Sequence, residues 1–118
     1  LGLQLYFFKQ DRPGFVLDET ADLPAIATRV LSAKRTGALI LGGCPSKHFT
    51  LGANLLRGGL DYSVYVSTAS EFDGSLSGAP PREAKSWGKV RREASTAVVN
   101  ADATLALPLI LAGLGVKR

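Results

Sequence analysis

Residues 38–43 read Ala-Leu-Ile-Leu-Gly-Gly, and this stretch decides the predicted fold. Its apolar residues follow one another without alternation, which is typical of a strand covered on both faces in a parallel sheet. Gly42 and Gly43 then end the strand in a tight turn. The sequence therefore predicts a buried parallel strand with its carboxyl end at Gly42.

Helices and strands alternate on both sides of this strand. A helix is predicted from Leu23, with Asp22 as its N-cap and Gly37 as its stop. After the strand, the pattern predicts a helix over 46–57, a strand over 62–66, a helix over 81–92, a strand over 96–100 and a last helix after Asp102. This order predicts an α/β fold with an open, mostly parallel, Rossmann-like sheet and flanking helices.

The first residues are harder to place in this pattern. Residues 1–8 are apolar but have no helix start signal, residues 10–14 form a turn through Pro13 and Gly14, and residues 15–17 are predicted to be a short buried run. We therefore expect the beginning of the domain to lie on another chain.

Composition excludes several classes of protein. The chain has 118 residues, of which 46% are hydrophobic, and is predicted to belong to one domain over 1–118. Its net charge of +4 is spread over several segments, without the aromatic and basic pattern of a nucleic-acid interface. The longest apolar run, residues 103–116, is too short to span a membrane and contains Pro108. We predict neither a nucleic-acid partner nor a membrane partner.

The single cysteine, Cys44, predicts a reducing, cytoplasmic setting and is expected to be buried and inert. With one histidine and no cysteine pair, no metal site is predicted. The chain contains no Walker A sequence, no Gly-x-Gly-x-x-Gly and no Gly-x-Ser-x-Gly. It therefore carries no nucleotide fingerprint or hydrolase elbow of its own.

The best candidate for chemistry lies in residues 71–92, EFDGSLSGAPPREAKSWGKVRR. This loop runs into a predicted helix that carries the only tryptophan, Trp87, and then Lys89. Desolvation by Trp87 and the like charge of Lys85 are both expected to lower the pKa of Lys89. A neutral lysine is a nucleophile.

A second candidate region is the carboxyl edge of the predicted sheet. Ligands of open parallel sheets bind outside the carboxyl ends of the strands. The three strand ends are the small or polar pairs 42–43, 68–69 and 101–102. The sequence therefore predicts a ligand site at this edge.

Several segments together resemble the C-terminal part of deoxyhypusine synthase. They are LILGG, KH, ANLLRGGLDYSVYVSTASEFDGS, SGA, EAKSWGK and NADATL, and the similarity runs from Pro13 to Leu109. It covers about the last third of a family member, without the earlier dinucleotide-binding residues and most of the sheet. The chain thus resembles the C-terminal portion of one NAD-binding domain.

The resemblance implies a tetrameric, NAD-dependent transferase. In that family NAD takes a hydride from spermidine, and the aminobutyl group is carried as an imine on a lysine. The group then moves to one lysine of a translation initiation factor precursor, and NADH returns the hydride. A lysine suits this role because its amine adds to an electrophilic carbon and is later displaced by another amine.

The resemblance also assigns residues to each role. Lys89 matches the catalytic lysine, His48 the active-site histidine and Glu83 an acid near the substrate. The implied substrate-binding residues are Leu55, Tyr65, Gly74, Ser75, Leu76 and Trp87. The implied NAD-binding residues are Gly42, Gly43, Thr68, Ala69, Ser77, Ala101, Asp102 and Ala103.

The chain departs from the family at polyamine-binding positions. Leu76 and Leu3 stand where aspartates are expected, and Gly52 stands where an asparagine is expected. A buried ammonium that faces leucine has no counter-charge, so the amine substrate is open to change.

Each candidate residue also has a structural interpretation. Lys89 could be a solvated helix lysine, and Trp87 could be a core residue. His48 could be a helix cap or a packed polar residue, and Asp102 could be only the N-cap of the last helix. Gly42 and Gly43 could serve the turn alone.

Two hypotheses therefore stand. In the first, the chain is a deoxyhypusine synthase-like enzyme that uses NAD and Lys89 on spermidine or a less cationic amine. In the second, it is a catalytically degenerate subunit that completes or activates a partner. Both require a companion chain with the N-terminal part of the domain, in a hetero-oligomer or tetramer, because three strands alone leave a sheet edge uncovered.

Overall fold

The computed structural model describes residues 1–115, so Val116, the last residue of the predicted apolar run, lies outside the described part. Its helices are α1 (Gly2–Asp11), α2 (Leu23–Ser32), α3 (Cys44–Asn54), α4 (Pro81–Ser86) and α5 (Ala103–Gly113), and its strands are β1 (Gly37–Leu41), β2 (Leu60–Ser67) and β3 (Val90–Asn100). Short 3₁₀ turns lie at Leu55–Arg57 and Glu71–Asp73.

The three strands form one parallel sheet in the order β1-β2-β3. Ile40 of β1 lies opposite Tyr65 of β2, which in turn lies opposite Val98 of β3. Parallel neighbours need a crossover, and helices provide both of them, α3 between β1 and β2 and α4 between β2 and β3. The predicted α/β fold with an open parallel sheet and flanking helices is confirmed.

One face of the sheet is covered by helices α3 and α4. Its core consists of Ile40, Leu51, Leu60, Tyr65, Ala84, Val90 and Ala94, all buried. Leu51 comes from α3 and Ala84 from α4. Since side chains alternate along a strand, Ile40 and Tyr65 define this covered face.

The opposite face is only partly covered, which corrects the prediction for β1. Leu39 and Leu41 point away from Ile40 and are exposed, as is Tyr62 of β2. Helix α5 packs against β2, where Val66 is fully buried, but it does not bury these three side chains. The expected burial on both faces is therefore wrong for the chain by itself. We name Leu39, Leu41 and Tyr62 the open face.

The helix predicted over 81–92 begins at Pro81 as expected, but its predicted end is wrong, because α4 ends at Ser86. Gly88 has φ +69°, and its N–H donates to the carbonyl of Lys85, while the N–H of Lys89 donates to that of Ala84. This is the Schellman cap that a left-handed glycine makes at a helix C-terminus. Strand β3 begins two residues later, at Val90, well before the predicted residue 96.

Other boundaries differ less. Helix α3 begins at Cys44 rather than residue 46, and the α-helix ends at Asn54, with the 3₁₀ turn continuing to Arg57. Helix α2 ends at Ser32, and Gly37 instead opens β1. The buried run predicted over 15–17 is wrong, since Val16 and Leu17 are exposed.

Helix α1 was not predicted, and it buries none of its residues. Leu3, Tyr6 and Phe7 are all exposed on it. Leu3, which stands at an expected polyamine-binding position, is therefore exposed in the described part of the chain. The helix presents an apolar surface to whatever lies beside it.

Candidate active site

Five of the predicted site residues come together in a narrow cleft between α3, α4 and the loop 71–80. The cleft is lined by Lys47, His48, Leu51, Leu76, Ala79, Pro80, Glu83, Ala84, Trp87 and Lys89. We name it the Lys89 cleft. Its enclosed volume is only about 20 Å³, enough for one water molecule. The structure thus groups Lys89 with His48, Glu83, Leu76 and Trp87, while their roles stay predictions.

Lys89 is held from both sides through its backbone. Its N–H belongs to the cap of α4, and its carbonyl accepts a hydrogen bond of 3.1 Å from the N–H of Leu60 in β2. It precedes the first residue of β3, so the lysine lies at the amino end of that strand and not at the carboxyl edge of the sheet. The side chain is half-buried and lines the cleft. Lys89 therefore lies outside the helix that was predicted to carry it, with a side chain that is only partly exposed.

The neighbours that were expected to act on Lys89 lie differently. Trp87 lines the cleft but is 70% exposed, so it is not the core residue that was considered. The ammonium of Lys85 donates to the carbonyls of Arg92 and Ala94 at 3.0 and 3.1 Å. Lys85 is thus engaged along β3 rather than lining the cleft.

Sequence reasoning missed Lys47, which is the most deeply buried charge of the site. It is 4% exposed, and its Nζ donates to the carbonyls of Leu76, Ser77 and Ala79 at 3.1, 3.4 and 2.7 Å. The same atom lies 4.6 Å from the centre of the Tyr65 ring. Burial lowers the pKa of Lys47, and the charge of Glu83 partly opposes this.

Lys47 therefore joins α3 to the loop 71–80 and fixes the wall of the cleft. A single buried cation holds three carbonyl oxygens, of which that of Leu76 also accepts a hydrogen bond of 3.4 Å from the N–H of Ala79. The sequence contained one signal for it, the Lys-His pair at 47–48 directly after the glycine turn. Spacing alone, however, does not show which loop a lysine reaches.

The carboxyl edge of the sheet carries a second, larger pocket. It has a volume of about 330 Å³ and is lined by Tyr65, Ser67, Thr68, Ala69, Ser70, Glu71, Phe72, Ser77, Gly78, Ala79, Pro80, Val98 and Asn100. We name it the strand-end pocket. It contains the predicted residues Thr68, Ala69, Ser77 and Tyr65, in the place that a parallel sheet gives its ligands.

Two buried polar atoms of the site have no hydrogen-bond partner. They are Tyr65 Oη and His48 Nε2. Burial raises the pKa of Tyr65, so its hydroxyl stays protonated and keeps a donor. Buried polar groups are normally satisfied by protein or by water, so these two atoms are candidates for a bound water or a catalytic role.

The cleft and the pocket are neighbours. Both are lined by Ala79 and Pro80, and Tyr65 of the pocket lies against Lys47 of the cleft. A molecule in the strand-end pocket and one in the Lys89 cleft are therefore separated only by these side chains and the loop. This arrangement can bring two reactants together beside one amine.

The other predicted residues line neither cavity in the described chain. A Cβ atom at Gly43 would lie 2.5 Å from the side chain of Ser77, so glycine is needed for the loop to pack there. Gly42, with φ +81°, makes the turn at the same edge. Gly74 and Ser75 are exposed loop residues, and Leu55 is exposed on its 3₁₀ turn.

The last strand end behaves as a helix cap. Asp102 accepts hydrogen bonds from the N–H, at 2.8 Å, and the hydroxyl of Thr104 at the start of α5. These bonds lower the pKa of its carboxyl group. The N-cap interpretation is confirmed, whereas a cofactor contact of Ala101, Asp102 or Ala103 stays a prediction. Cys44, expected to be buried, is exposed.

Residues 1–115 contain neither a candidate membrane-spanning helix nor a candidate metal site. Within that range no helix has the length and apolar character to cross a membrane. Histidine, cysteine and acidic side chains do not cluster there in a way that could hold a metal ion.

Comparison with known proteins decides the family. The family model for deoxyhypusine synthase matches residues 1–114. The chain belongs to the deoxyhypusine synthase family. It is 48% identical to a probable deoxyhypusine synthase of Drosophila melanogaster over the whole chain, which is 32% of that relative.

Other members of the family are equally similar. The chain is 47% identical to the deoxyhypusine synthase of Senecio vernalis over 95% of its length and 31% of the relative. It is 52% identical to a probable deoxyhypusine synthase of Ignicoccus hospitalis over 87% of its length and 32% of the relative. The chain therefore spans about a third of the length of the curated relatives it matches.

Proposed function

We propose that this chain supplies the reactive lysine of a deoxyhypusine synthase-like transferase, which moves an aminobutyl group from spermidine or a related amine to a protein lysine. The observation that carries the proposal is the enclosure of Lys89 with His48 and Glu83, next to a pocket at the carboxyl edge of the sheet. Membership in the deoxyhypusine synthase family supports the same activity.

We propose NAD as the cofactor, with Thr68, Ala69 and Ser77 among the residues that would hold it. The strand-end pocket suits such a ligand because its volume lies in the usual range and the buried Tyr65 hydroxyl lacks a partner. When bound, NAD would accept a hydride from the amine and later return it. The dinucleotide also needs residues beyond this chain.

Lys89 would act as the carrier. Its neutral amine adds to the oxidised carbon of the polyamine, a C–N bond forms to Nζ, and the carbon's bond to the leaving diamine breaks. The diamine departs with its nitrogen protonated, and the aminobutyl group remains on Lys89 as an imine. The acceptor lysine of the factor precursor then displaces Lys89, which regains its free amine.

Glu83 and His48 are proposed to serve this exchange. Glu83 carries the one carboxylate among the described lining residues, so it would hold the ammonium of the substrate. The unpaired Nε2 of His48 is available to accept or donate a proton as amines add and leave. Neither group needs metal chemistry in this role.

We further propose that the preceding two-thirds of the domain covers this chain, either as a companion chain or as the rest of a longer protein. The relatives are about three times as long, and the open face and α1 leave apolar side chains uncovered. A tetramer or hetero-oligomer in the cytoplasm, with a translation factor precursor as acceptor, fits the family. Nucleic acid and membrane are not among the proposed partners.

Borohydride trapping tests the activity. The protein that carries this chain, in its natural assembly, is incubated with NAD and spermidine or N-butylputrescine, reduced, and digested for mass spectrometry. We expect an aminobutyl increment on Lys89, and none in Lys89→Arg, which keeps the charge but forms no imine. Absence of an adduct with every amine would reject the proposed catalysis.

The alternative is a catalytically degenerate subunit that completes or activates a partner. Leu76 favours it, because this residue of the cleft wall offers no charge to a polyamine. In that case the adduct would appear on the partner's lysine and would persist in the Lys89→Arg variant. The same experiment therefore separates the two hypotheses.

A further inference from the structure

The Lys89 cleft is poor in negative charge. Among its described lining residues, Glu83 is the one carboxylate, whereas Lys47 and Lys89 both bring an amine. Most of the remaining wall is apolar, formed by Leu51, Leu76, Ala79, Pro80, Ala84 and Trp87. A molecule in this cleft meets one counter-charge and otherwise hydrocarbon.

The other acidic side chains of the loop are committed elsewhere. Glu71 pairs with Arg82 at 2.6 Å. Asp73 accepts from the backbone N–H of Ser70 at 2.8 Å and so completes a capping box at the 3₁₀ turn. Turning either carboxylate toward the cleft would break one of these local contacts.

The outer part of the cleft is its apolar rim. Leu76 is 52% exposed and Trp87 is 70% exposed, and both line the cleft. Because the interior holds about one water, the long part of a bound amine must lie along this rim. A second ammonium placed there would find no second carboxylate among the described lining residues, whereas an apolar segment would contact Leu76 and Trp87.

Besides the carboxylate of Glu83, the exposed indole of Trp87 is a lining group that attracts cations. A cation over an exposed aromatic ring gains little, because the ammonium keeps most of its water. The buried cation Lys47 repels a further positive charge. The attraction by Trp87 is therefore too weak to reverse the preference of the rim for an apolar segment.

We propose that the Lys89 cleft selects an amine with one charged end, held by Glu83, and an apolar segment along Leu76 and Trp87, in preference to a polyamine charged at both ends. This inference rests on the proposed function, since it names the substrate class of the same cleft. It concerns binding, and it can hold or fail independently of imine formation.

The test compares spermidine with two carbon isosteres, each with one terminal ammonium replaced by a methyl group. In N-butylputrescine the methyl group replaces the ammonium of the aminopropyl arm of spermidine. In the other isostere it replaces the ammonium of the aminobutyl arm. Dissociation constants are measured by calorimetry on the full-length protein in its natural assembly, with NAD present. We expect one isostere to bind at least about tenfold more tightly than spermidine.

Substitution of Leu76 provides the matched pair. Leu76→Asp adds the missing carboxylate and should reverse the preference, so that spermidine binds more tightly than either isostere. Leu76→Asn has nearly the same shape without the charge and should leave the preference for the isostere in place. Leu76 is half exposed, so both variants are expected to fold, and circular dichroism checks this.

The outcomes are distinct. Spermidine binding as tightly as both isosteres, or an unchanged preference in Leu76→Asp, would overturn the inference while leaving the proposed transfer intact. A preferred isostere, together with no trapped adduct on Lys89 from any of the three amines, would uphold the selectivity and reject the proposed catalysis. If none of the three amines binds, both proposals fail.

Discussion

The two faces of the sheet differ sharply although they are built from the same strands. On the covered face Ile40 is 5% exposed, under α3 and α4, while its neighbour Leu41 on the open face is 40% exposed. Both cavities adjoin the covered face, and no described helix lies over Leu39 and Tyr62.

The difference shows that packing by helices, and not the hydrophobicity of the strand residues, decides which face of the sheet becomes core and which stays exposed. Ile40 and Leu41 are both large aliphatic residues and are neighbours in β1, yet only Ile40 lies under a helix. Apolar side chains left exposed in a row are typical of a surface that another segment covers. The open face is therefore the part of the fold that this chain does not complete alone.

The largest expected effect is on the free energy of unfolding, and it tests the difference between the two sheet faces directly. Ile40→Ala should lower the free energy of unfolding by about 2–5 kcal/mol, because it leaves a cavity in the core. Leu41→Ala should lower it by less than about 1 kcal/mol in the isolated chain, because the side chain is already partly in water. Urea denaturation of the two variants measures the difference.

The same pair in the complete assembly tests the covering of the open face. There Leu41→Ala should become about as destabilising as Ile40→Ala, since the companion segment would bury Leu41. Equal, small effects of Leu41→Ala in both contexts would show that nothing covers this face.

Lys47 is expected to have the next largest effect, on the loop above the covered face. Lys47→Met leaves the carbonyls of Ser77 and Ala79 without a donor and removes one donor from that of Leu76, which should lower stability by about 2 kcal/mol and expose residues 71–80 to proteolysis. Lys34→Met, on the exposed link between α2 and β1, is the control and should change neither. Limited proteolysis and urea denaturation give the two readouts.

The pH dependence of stability provides a second readout on Lys47. Burial lowers its pKa, so between this lowered value and the ordinary lysine pKa the unfolded state binds more protons than the folded state. Stability relative to Lys47→Met should therefore rise as the pH increases through that window. A difference between the two proteins that is independent of alkaline pH would contradict the assigned environment.

Disruption of the Schellman cap before Lys89 should lower the free energy of unfolding by about 1 kcal/mol. Gly88→Ala places a side chain at φ +69° and should reduce stability by that amount, and adduct formation on Lys89 should fall with it. Gly52→Ala is the matched control inside α3, where an added Cβ meets nothing within 4 Å. It should raise stability by up to about 1 kcal/mol, since alanine favours the helix.

The smallest effect is expected at the ion pair between Glu71 and Arg82. The arginine side chain is 77% exposed, so Glu71→Gln should change stability by less than about 0.5 kcal/mol. Glu19→Gln, another exposed carboxylate, should match it within error. A loss as large as that of Lys47→Met would mean that the surface pair, and not the buried lysine, holds the loop.

Prediction from the sequence succeeded where one local pattern was enough. The strand at 38–41 and the helix from Leu23 were visible because their apolar spacing matches one type of element. It failed at β3, where Arg91, Arg92 and Glu93 look like the surface of a helix, although an exposed edge strand also accepts charged side chains. Gly88 was the available stop signal, and a left-handed glycine ends a helix more decisively than charge pattern extends it.

The candidate site was predicted only in part. Lys89, Glu83 and Trp87 lie within one segment, so their proximity followed from the sequence. Lys47 was missed because its partners are carbonyl oxygens about 30 positions later, and backbone atoms leave no mark in a sequence. The residue type alone does not distinguish a surface lysine from a buried one.

By itself the sequence determined the α/β order, the parallel sheet and the resemblance to deoxyhypusine synthase, because local spacing and short segments are preserved along the chain. Only the tertiary structure decided that Lys89 lies at the start of β3 beside His48, that Lys47 holds the loop, and that one sheet face stays open. These facts depend on packing between distant segments, where solvent exclusion and available partners, rather than residue type, fix the outcome.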